Sequence, residues 1–298
     1  MPKKNSSPLI HVVTPVFNAK DQTLQFIEDM SKQTYTNLTI VIVDDGSTDG
    51  TAEAIASKYP KTVVLAGTGS LWWSGATNLG VEHALKHKAD YILTINNDLT
   101  ISQDYVQALV DAAHHNPGAL IGSTVVDESE PQKVWFAGAG FDYKRGEMQH
   151  VNGPISKFKG KMLPSDWLSG MGVLIPAEVF EKIGLYNTKD FPQYFGDSDF
   201  SLRAKEAGYK LLVSGDAIVE SDVKSAWLHR QIKKPHIGMF KDLFLSIRSP
   251  YQIKSRVAFY RVYWGKHWRY QLVKLYCWSM RGVYFRFTQA YLKKLIKR

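Results

Sequence analysis

The chain has 298 residues, 44% of them apolar and 22% charged, enough for one large α/β domain with an appendage. Its single cysteine, Cys277, excludes an intramolecular disulfide and fits a reducing, cytoplasmic compartment. The net charge of +9 is unevenly placed: Leu243 to Arg298 holds thirteen Lys and Arg and no acid, whereas residues 1–242 carry 24 basic against 28 acidic side chains. No run approaches the roughly 20 uninterrupted apolar residues of a membrane-spanning helix. The segment Leu9 to Val16 is broken by His11 and Pro15, so it does not read as a signal peptide.

From the N-terminus, strands and helices alternate about every dozen residues, the pattern of a mainly parallel sheet. Strands are expected over Leu9 to Val16, over the β-branched run Leu38 to Val43, over Thr62 to Leu65 and over Tyr91 to Ile95. Helices are expected over Asp21 to Gln33, Thr51 to Lys58, Ser74 to His87 and Asp104 to His115. Residues 120–165, rich in Gly, Lys and aromatics, lose this periodicity and are expected to hold short strands and a mobile loop. Ser201 to Ala207 then reads as a helix closed by Gly208, with Asp197 at its N-terminus and Asp199 two residues later.

Polar groups collect where apolar runs end, the place where α/β sheets bind ligands. Asp44-Asp45-Gly46-Ser47 follows the second strand, and its carboxylates suit a nucleobase imide or a ribose while helix amides face the ligand; an Asx turn with a helix cap would use the same residues. Asn96-Asn97-Asp98 follows Tyr91 to Ile95 and delivers one carboxylate to the sheet edge, where a divalent ion shared with a diphosphate would neutralise charge. Gly196-Asp197-Ser198-Asp199 offers one carboxylate for proton transfer and another for the first helical turn. Trp72-Trp73 could stack on a base or sugar or pack beneath the following helix.

In this order these segments resemble the inverting glycosyltransferases of family 2, with Thr14-Pro15-Val16-Phe17-Asn18, Trp167-Leu168-Ser169-Gly170-Met171-Gly172 and Ile183-Gly184-Leu185-Tyr186 completing the set over about Ile10 to Leu212. The resemblance implies a GT-A fold, a Rossmann-like mixed sheet flanked by helices, and its nearest branch transfers rhamnose or galactofuranose in bacterial surface polysaccharide assembly. It also implies site roles. Thr14, Pro15 and Asp44 or Asp45 would contact base and ribose, with Gly75, Asn78 and Trp73 lining the donor pocket beside Asn96 and Asn97. Asp98 stands at the metal motif for Mn²⁺ or Mg²⁺, Asp197 at the general base, and Trp167, Gly170, Met171 and Asp199 near sugar and acceptor. This chain departs from the family in three ways: the metal motif has one carboxylate, Gly196 replaces the acidic residue before the base, and the later metal-ligand histidine is missing, leaving Asp222 or His229 as stand-ins.

The expected organisation is a catalytic domain over 1–242, with a nucleotide-sugar half near 9–118 and an acceptor half near 119–242, and a helical tail over 243–298. The tail mixes fourteen aromatics with its basic residues, a composition suited to an anionic membrane surface. That would place the protein on the inner face of the cytoplasmic membrane, next to a lipid-linked saccharide acceptor. Packing on the body or self-association would use the same helices, and nucleic acid is not expected as a partner. A nucleotidyltransferase would need a Gly-rich loop after the first strand, which Thr14 to Ala19 does not provide. A non-catalytic adaptor would explain the tail but leave Asp98 and Asp197 idle.

Overall fold

Apolar runs of four to eight residues form the centre of the molecule, and the computed structural model describes them within residues 7–142, 147–222, 239–265 and 268–296. The N-terminal half follows the alternation closely: β1 (Ile10–Val16), α1 (Lys20–Ser31), β2 (Leu38–Asp44), α2 (Thr51–Lys58), β3 (Val63–Ala66), α3 (Trp72–Lys86), β4 (Tyr91–Thr94), β5 (Thr100–Ile101) and α4 (Tyr105–His115). β1 pairs in parallel with β2 on one side and β4 on the other, and β3 extends the sheet beyond β2. The order therefore reverses at β1. A crevice opens at such a switch point, outside the carboxyl ends of the strands.

Helix α3 lies on this sheet because Gly80 lets it. A Cβ there would stand 2.4 Å from Val13 Cγ1 and 3.1 Å from Val43 Cγ2. The close approach fixes where the helix runs, and with it the position of its N-terminal tryptophans at the crevice.

The second half is richer in strands than its composition suggests. It contains β6 (Leu120–Asp127), β7 (Glu130–Phe136), β8 (Ala139–Asp142), β9 (Glu147–His150), β10 (Gly153–Pro154), β11 (Met162–Pro164), β12 (Val173–Pro176) and β13 (Leu211–Ser221). The short strands expected over 120–165 are present, and β6 is longer than expected: all eight of its residues are buried, and it pairs with β12, β7 and β13. Its apolar pattern is masked by Gly122, Ser123 and Thr124, each with a packing reason. Leu168 Cδ2 lies 2.8 Å from where a Cβ on residue 122 would be, Ser123 Oγ donates to the Gly172 carbonyl at 2.8 Å, and Thr124 Oγ1 donates to the Ser214 carbonyl at 2.8 Å. Buried hydroxyls paired in this way cost little, so the strand keeps them. The main sheet has eleven strands among the described residues, mixed in direction, with β8 and β9 forming a separate pair.

The remaining helices are α5 (Ala177–Ile183), α6 (Gly196–Glu206), α7 (Met239–Leu245), α8 (Ile253–Tyr263) and α9 (Trp268–Ile296). α8 is not a free interfacial helix: Phe259, Tyr260, Tyr263 and Trp264 form a second core with Phe141, Phe191 and Leu202. The body therefore continues past residue 242. α9 packs on that core through Leu272 and Leu275, while Tyr270, Val273, Met280, Tyr284 and Phe285 stay exposed. Among the described residues no helix is long and apolar enough to cross a membrane.

Candidate active site

A cleft of about 870 Å³ opens at the switch point. Its walls are Pro15 and Val16 at the end of β1, Phe17 and Asn18 after it, Asp45 after β2, Gly69 before α3, Trp72, Trp73 and Ala76 at the start of α3, Gln193 and Tyr194 before α6, and Arg248 from the loop between α7 and α8. Two of these residues, Asn18 at φ 48° and Trp72 at φ 59°, hold left-handed backbone, as does Phe195 at φ 71° next to Tyr194. Non-glycine residues in that region store strain, which concentrates at functional sites. Phe17 is 47% exposed at the rim, an aromatic face open to a planar ligand.

Asp44 and Asp45 do different work from each other. Asp44 Oδ1 accepts the Ser47 amide at 2.8 Å and tightens the turn after β2. Asp45 accepts three amides, from Gly69 and Leu71 at 2.8 Å and from Trp72 at 3.0 Å, and so fixes the entry to α3. A carboxylate there also favours the positive end of the helix. Thr14 is fully buried, its Oγ1 has no hydrogen-bond partner among the described residues, and the residue does not line the cleft.

Trp73 joins the cleft to the rest of the site. Its Nε1 donates to Asn96 Oδ1 at 2.8 Å, its amide donates to Gln193 Oε1 at 3.2 Å, and its ring meets Tyr186 edge-on at 5.3 Å. On the far side sits Gly170, whose missing Cβ would be 2.9 Å from Trp73 Cζ2. Its amide donates to Asp197 Oδ2 at 2.8 Å, and the Ser198 amide donates to Oδ1 at 2.8 Å. Asp197 is half-buried against Leu168, Val173, Ile175 and Phe200. That burial pushes its carboxyl above the usual carboxylate range, although both amides work against the shift. A carboxylate so placed is a stronger base than a solvated one.

The other expected site residues fall into two groups. Asn97 donates to Thr23 Oγ1 at 2.9 Å, and Asp98 follows it in the exposed turn after β4. Asp222 lies past the end of β13 and is exposed, and His229 lies outside the described residues. Of the rest, Asn78 clamps both backbone groups of Tyr186 at 2.9 Å, Gly75 packs against Leu71, Met171 packs on the core, and Trp167 is buried beside Phe136. Asp199, expected near the acceptor, is likewise buried, and each of its oxygens has a side-chain partner. Tyr263 Oη donates to its Oδ1 at 2.8 Å and Arg203 Nε to its Oδ2 at 2.9 Å, while Arg203 also holds the Ile183 and Leu185 carbonyls. It is the knot tying α8 to α6. Phe17, Asn18, Gln193, Tyr194 and Arg248 were not singled out from the sequence. The first two stand inside the quoted Thr14 to Asn18 segment, and the others carry no local signal.

A mixed sheet whose parallel part carries a strained cleft at its switch point, with carboxylates delivered around it, is the arrangement of a GT-A transferase. Residues 11–168 match the family model described as Glycosyl transferase family 2, and the chain belongs to that family and is a glycosyltransferase. It is 23% identical over 221 residues to the N-acetylglucosaminyl-diphospho-decaprenol L-rhamnosyltransferase of Mycobacterium tuberculosis, covering 67% of this chain and 72% of that protein. It is 26% identical over 191 residues to glycosyltransferase GlyG of Streptococcus pneumoniae, covering 62% of each. The fold is similar to that of a Pyrobaculum calidifontis mannosyltransferase bound to GDP-mannose and Mn²⁺, with TM-score 0.57, 18% identity, 77% of this chain and 61% of that one. It is also similar to GalNAc-T7 bound to UDP, GalNAc and Mn²⁺, with TM-score 0.58, 16% identity, 73% of this chain and 44% of that one.

Proposed function

We propose that the cleft binds the nucleoside diphosphate of a UDP- or dTDP-sugar and that Asp197 is the base of an inverting transfer to a hydroxyl of a lipid-linked saccharide. The observation that carries this reading is the continuous contact from the cleft through Trp73 and Gly170 to a carboxylate that burial makes basic. Phe17 and the backbone after β1 receive the base and ribose. Asp197, held by the Gly170 and Ser198 amides, keeps lone pairs free to take the acceptor proton as the hydroxyl attacks the anomeric carbon. The bond to the diphosphate breaks on the opposite face, and the configuration inverts.

A divalent ion, Mn²⁺ or Mg²⁺, fits the exposed Asp98 as its one protein carboxylate, with the donor phosphates completing the set. Asn96 Oδ1 is already engaged by Trp73, and no group of three or more His, Cys, Asp or Glu is gathered for a metal among the described residues. Such an ion, when bound, neutralises charge on the leaving diphosphate.

The similarity to an N-acetylglucosaminyl-diphospho-decaprenol L-rhamnosyltransferase supports a lipid-linked acceptor. Helix α9 supports the same setting. Tyr270, Val273, Cys277, Met280 and Tyr284 recur every three or four residues and are exposed, with Arg269, Lys274 and Arg281 alongside. An apolar stripe with basic flanks suits the headgroup region of anionic lipid. Nucleoside diphosphate release from a panel of UDP- and dTDP-sugars, with Mn²⁺, Mg²⁺ or EDTA and a lipid-linked acceptor extract, tests the assignment. One donor should be turned over, with loss in EDTA and in Asp98→Ala; no turnover of any donor would contradict it.

A further inference from the structure

The basic tail enters the cleft at one residue. Arg248 lines the cavity, exposed, with its guanidinium carbon 5.9 Å from the centre of the Trp72 ring. It is the only cation among the described residues of the cleft wall, and it is in no ion pair among them. Among the described residues of that wall the one carboxylate is Asp45, whose oxygens accept the amides of Gly69, Leu71 and Trp72 and which forms no ion pair with Arg248.

The loop carrying Arg248 is fastened in place. Ser249 is buried and its amide donates to the Ser246 carbonyl at 3.1 Å, the Gln252 amide donates to the Ser249 carbonyl at 3.1 Å, and Arg256 Nε donates to the Pro250 carbonyl at 2.8 Å. Ser255 Oγ then ties the start of α8 to the Asp190 carbonyl at 2.9 Å. A guanidinium held near an aromatic face by cation–π attraction keeps its fork of donors free, and that fork matches phosphate oxygens. Its place is on the wall of the cleft, and in a chain whose Asn96-Asn97-Asp98 segment carries only one carboxylate a departing diphosphate needs additional positive charge.

Resting on the reading of this cleft as the donor site, we infer that Arg248 grips the diphosphate of the donor and stabilises the departing nucleoside diphosphate, making the start of the tail part of the donor site. Arg248 gives hydrogen bonds and charge and transfers no proton. The sugar to phosphate oxygen bond still breaks with its electron pair on the diphosphate.

Calorimetric titration of the full chain with UDP, dTDP and GDP and the matching monophosphates, at fixed Mn²⁺, tests this. For the diphosphate that the wild type binds most tightly, Arg248→Met should raise Kd about 10- to 100-fold, the usual worth of a charge-assisted contact. The monophosphate should shift by less than about threefold, and Arg248→Lys should fall between, keeping the charge but losing the fork. Diphosphate preference unchanged in Arg248→Met overturns the assignment and leaves the donor-site reading standing. Equal weakening of mono- and diphosphate also overturns it, because Arg248 would then act only through Trp72. No nucleotide binding by the wild type removes the donor-site reading and the inference together.

Discussion

The Gly170 amide donates to Asp197 Oδ2 at 2.8 Å while the Trp73 ring fills the space where a side chain on residue 170 would begin. One glycine therefore sets both the orientation of the candidate base and the position of the tryptophan that walls the cleft. Gly170→Ala places a methyl 2.9 Å from Trp73 Cζ2, so the ring or the 170 backbone must move. Transfer should fall roughly 10- to 100-fold, because small misplacements at a reacting centre are costly. Steady-state nucleoside diphosphate release measures it, and an unchanged kcat would show that the contact has no part in the chemistry.

Burial raises the Asp197 carboxyl above its ordinary range, and a base must be deprotonated to work. Activity is thus present above the shifted value and lost as pH falls through it. The acid limb of kcat/KM should inflect above the value of about 3.9 of a solvated aspartate. A profile flat down to that value contradicts the role.

Tyr263 ties α8 to the body through Asp199. Burial, reinforced by that carboxylate, drives the phenol upward, so it remains a donor throughout the working range. Tyr263→Phe leaves a buried carboxylate oxygen short of a partner and should cost about 1–3 kcal/mol, a fall of several degrees in Tm. Scanning calorimetry reads it directly.

His11 sits on β1 beside the stacked rings of His83 and His87, and burial followed by those two neighbours lowers its pKa to about 4. Unfolding restores the ordinary value of 6.5. Between these values the unfolded chain binds a proton that the folded one excludes, so stability is lost as pH falls from about 6.5 to about 4. The loss is on the order of 2–3 kcal/mol. Urea unfolding across that window should show the slope in the wild type and a shallower one in His11→Phe.

On the proposed reading, the exposed stripe of α9 and its basic flanks rest on an anionic membrane surface. Cosedimentation with vesicles containing anionic lipid should capture the chain, and Arg269→Glu with Lys274→Glu and Arg281→Glu should weaken capture at least about tenfold, at roughly 1 kcal/mol for each basic residue. Equal binding to neutral vesicles, or dimerisation through the stripe in their absence, points to another partner.

The N-terminal half was legible because burial on both faces leaves little but β-branched and apolar residues in β1, β2 and β4. β6 was not, because Gly122, Ser123 and Thr124 hide inside it for tertiary reasons. The positions of Asp98 and Asp197 at element ends could be read from motif order. The division of labour between Asp197 and Asp199 could not, since it depends on Tyr263, sixty-four residues away in the chain. Asn78 and Trp167 carry motif positions but are spent on packing, a choice made by partners distant in sequence. The tail was read as one unit, yet the structure divides it between a core helix, a cleft residue and an exposed stripe.

Transfer and donor binding measured side by side in the wild type and in Asp197→Asn, using whichever nucleotide sugar the wild type turns over, separate proton abstraction by Asp197 from donor recognition. The account predicts transfer reduced about 10²- to 10⁴-fold with the donor Kd within about threefold of wild type. An Asp197→Asn enzyme that transfers at the wild-type rate would contradict it and move the base elsewhere in the site.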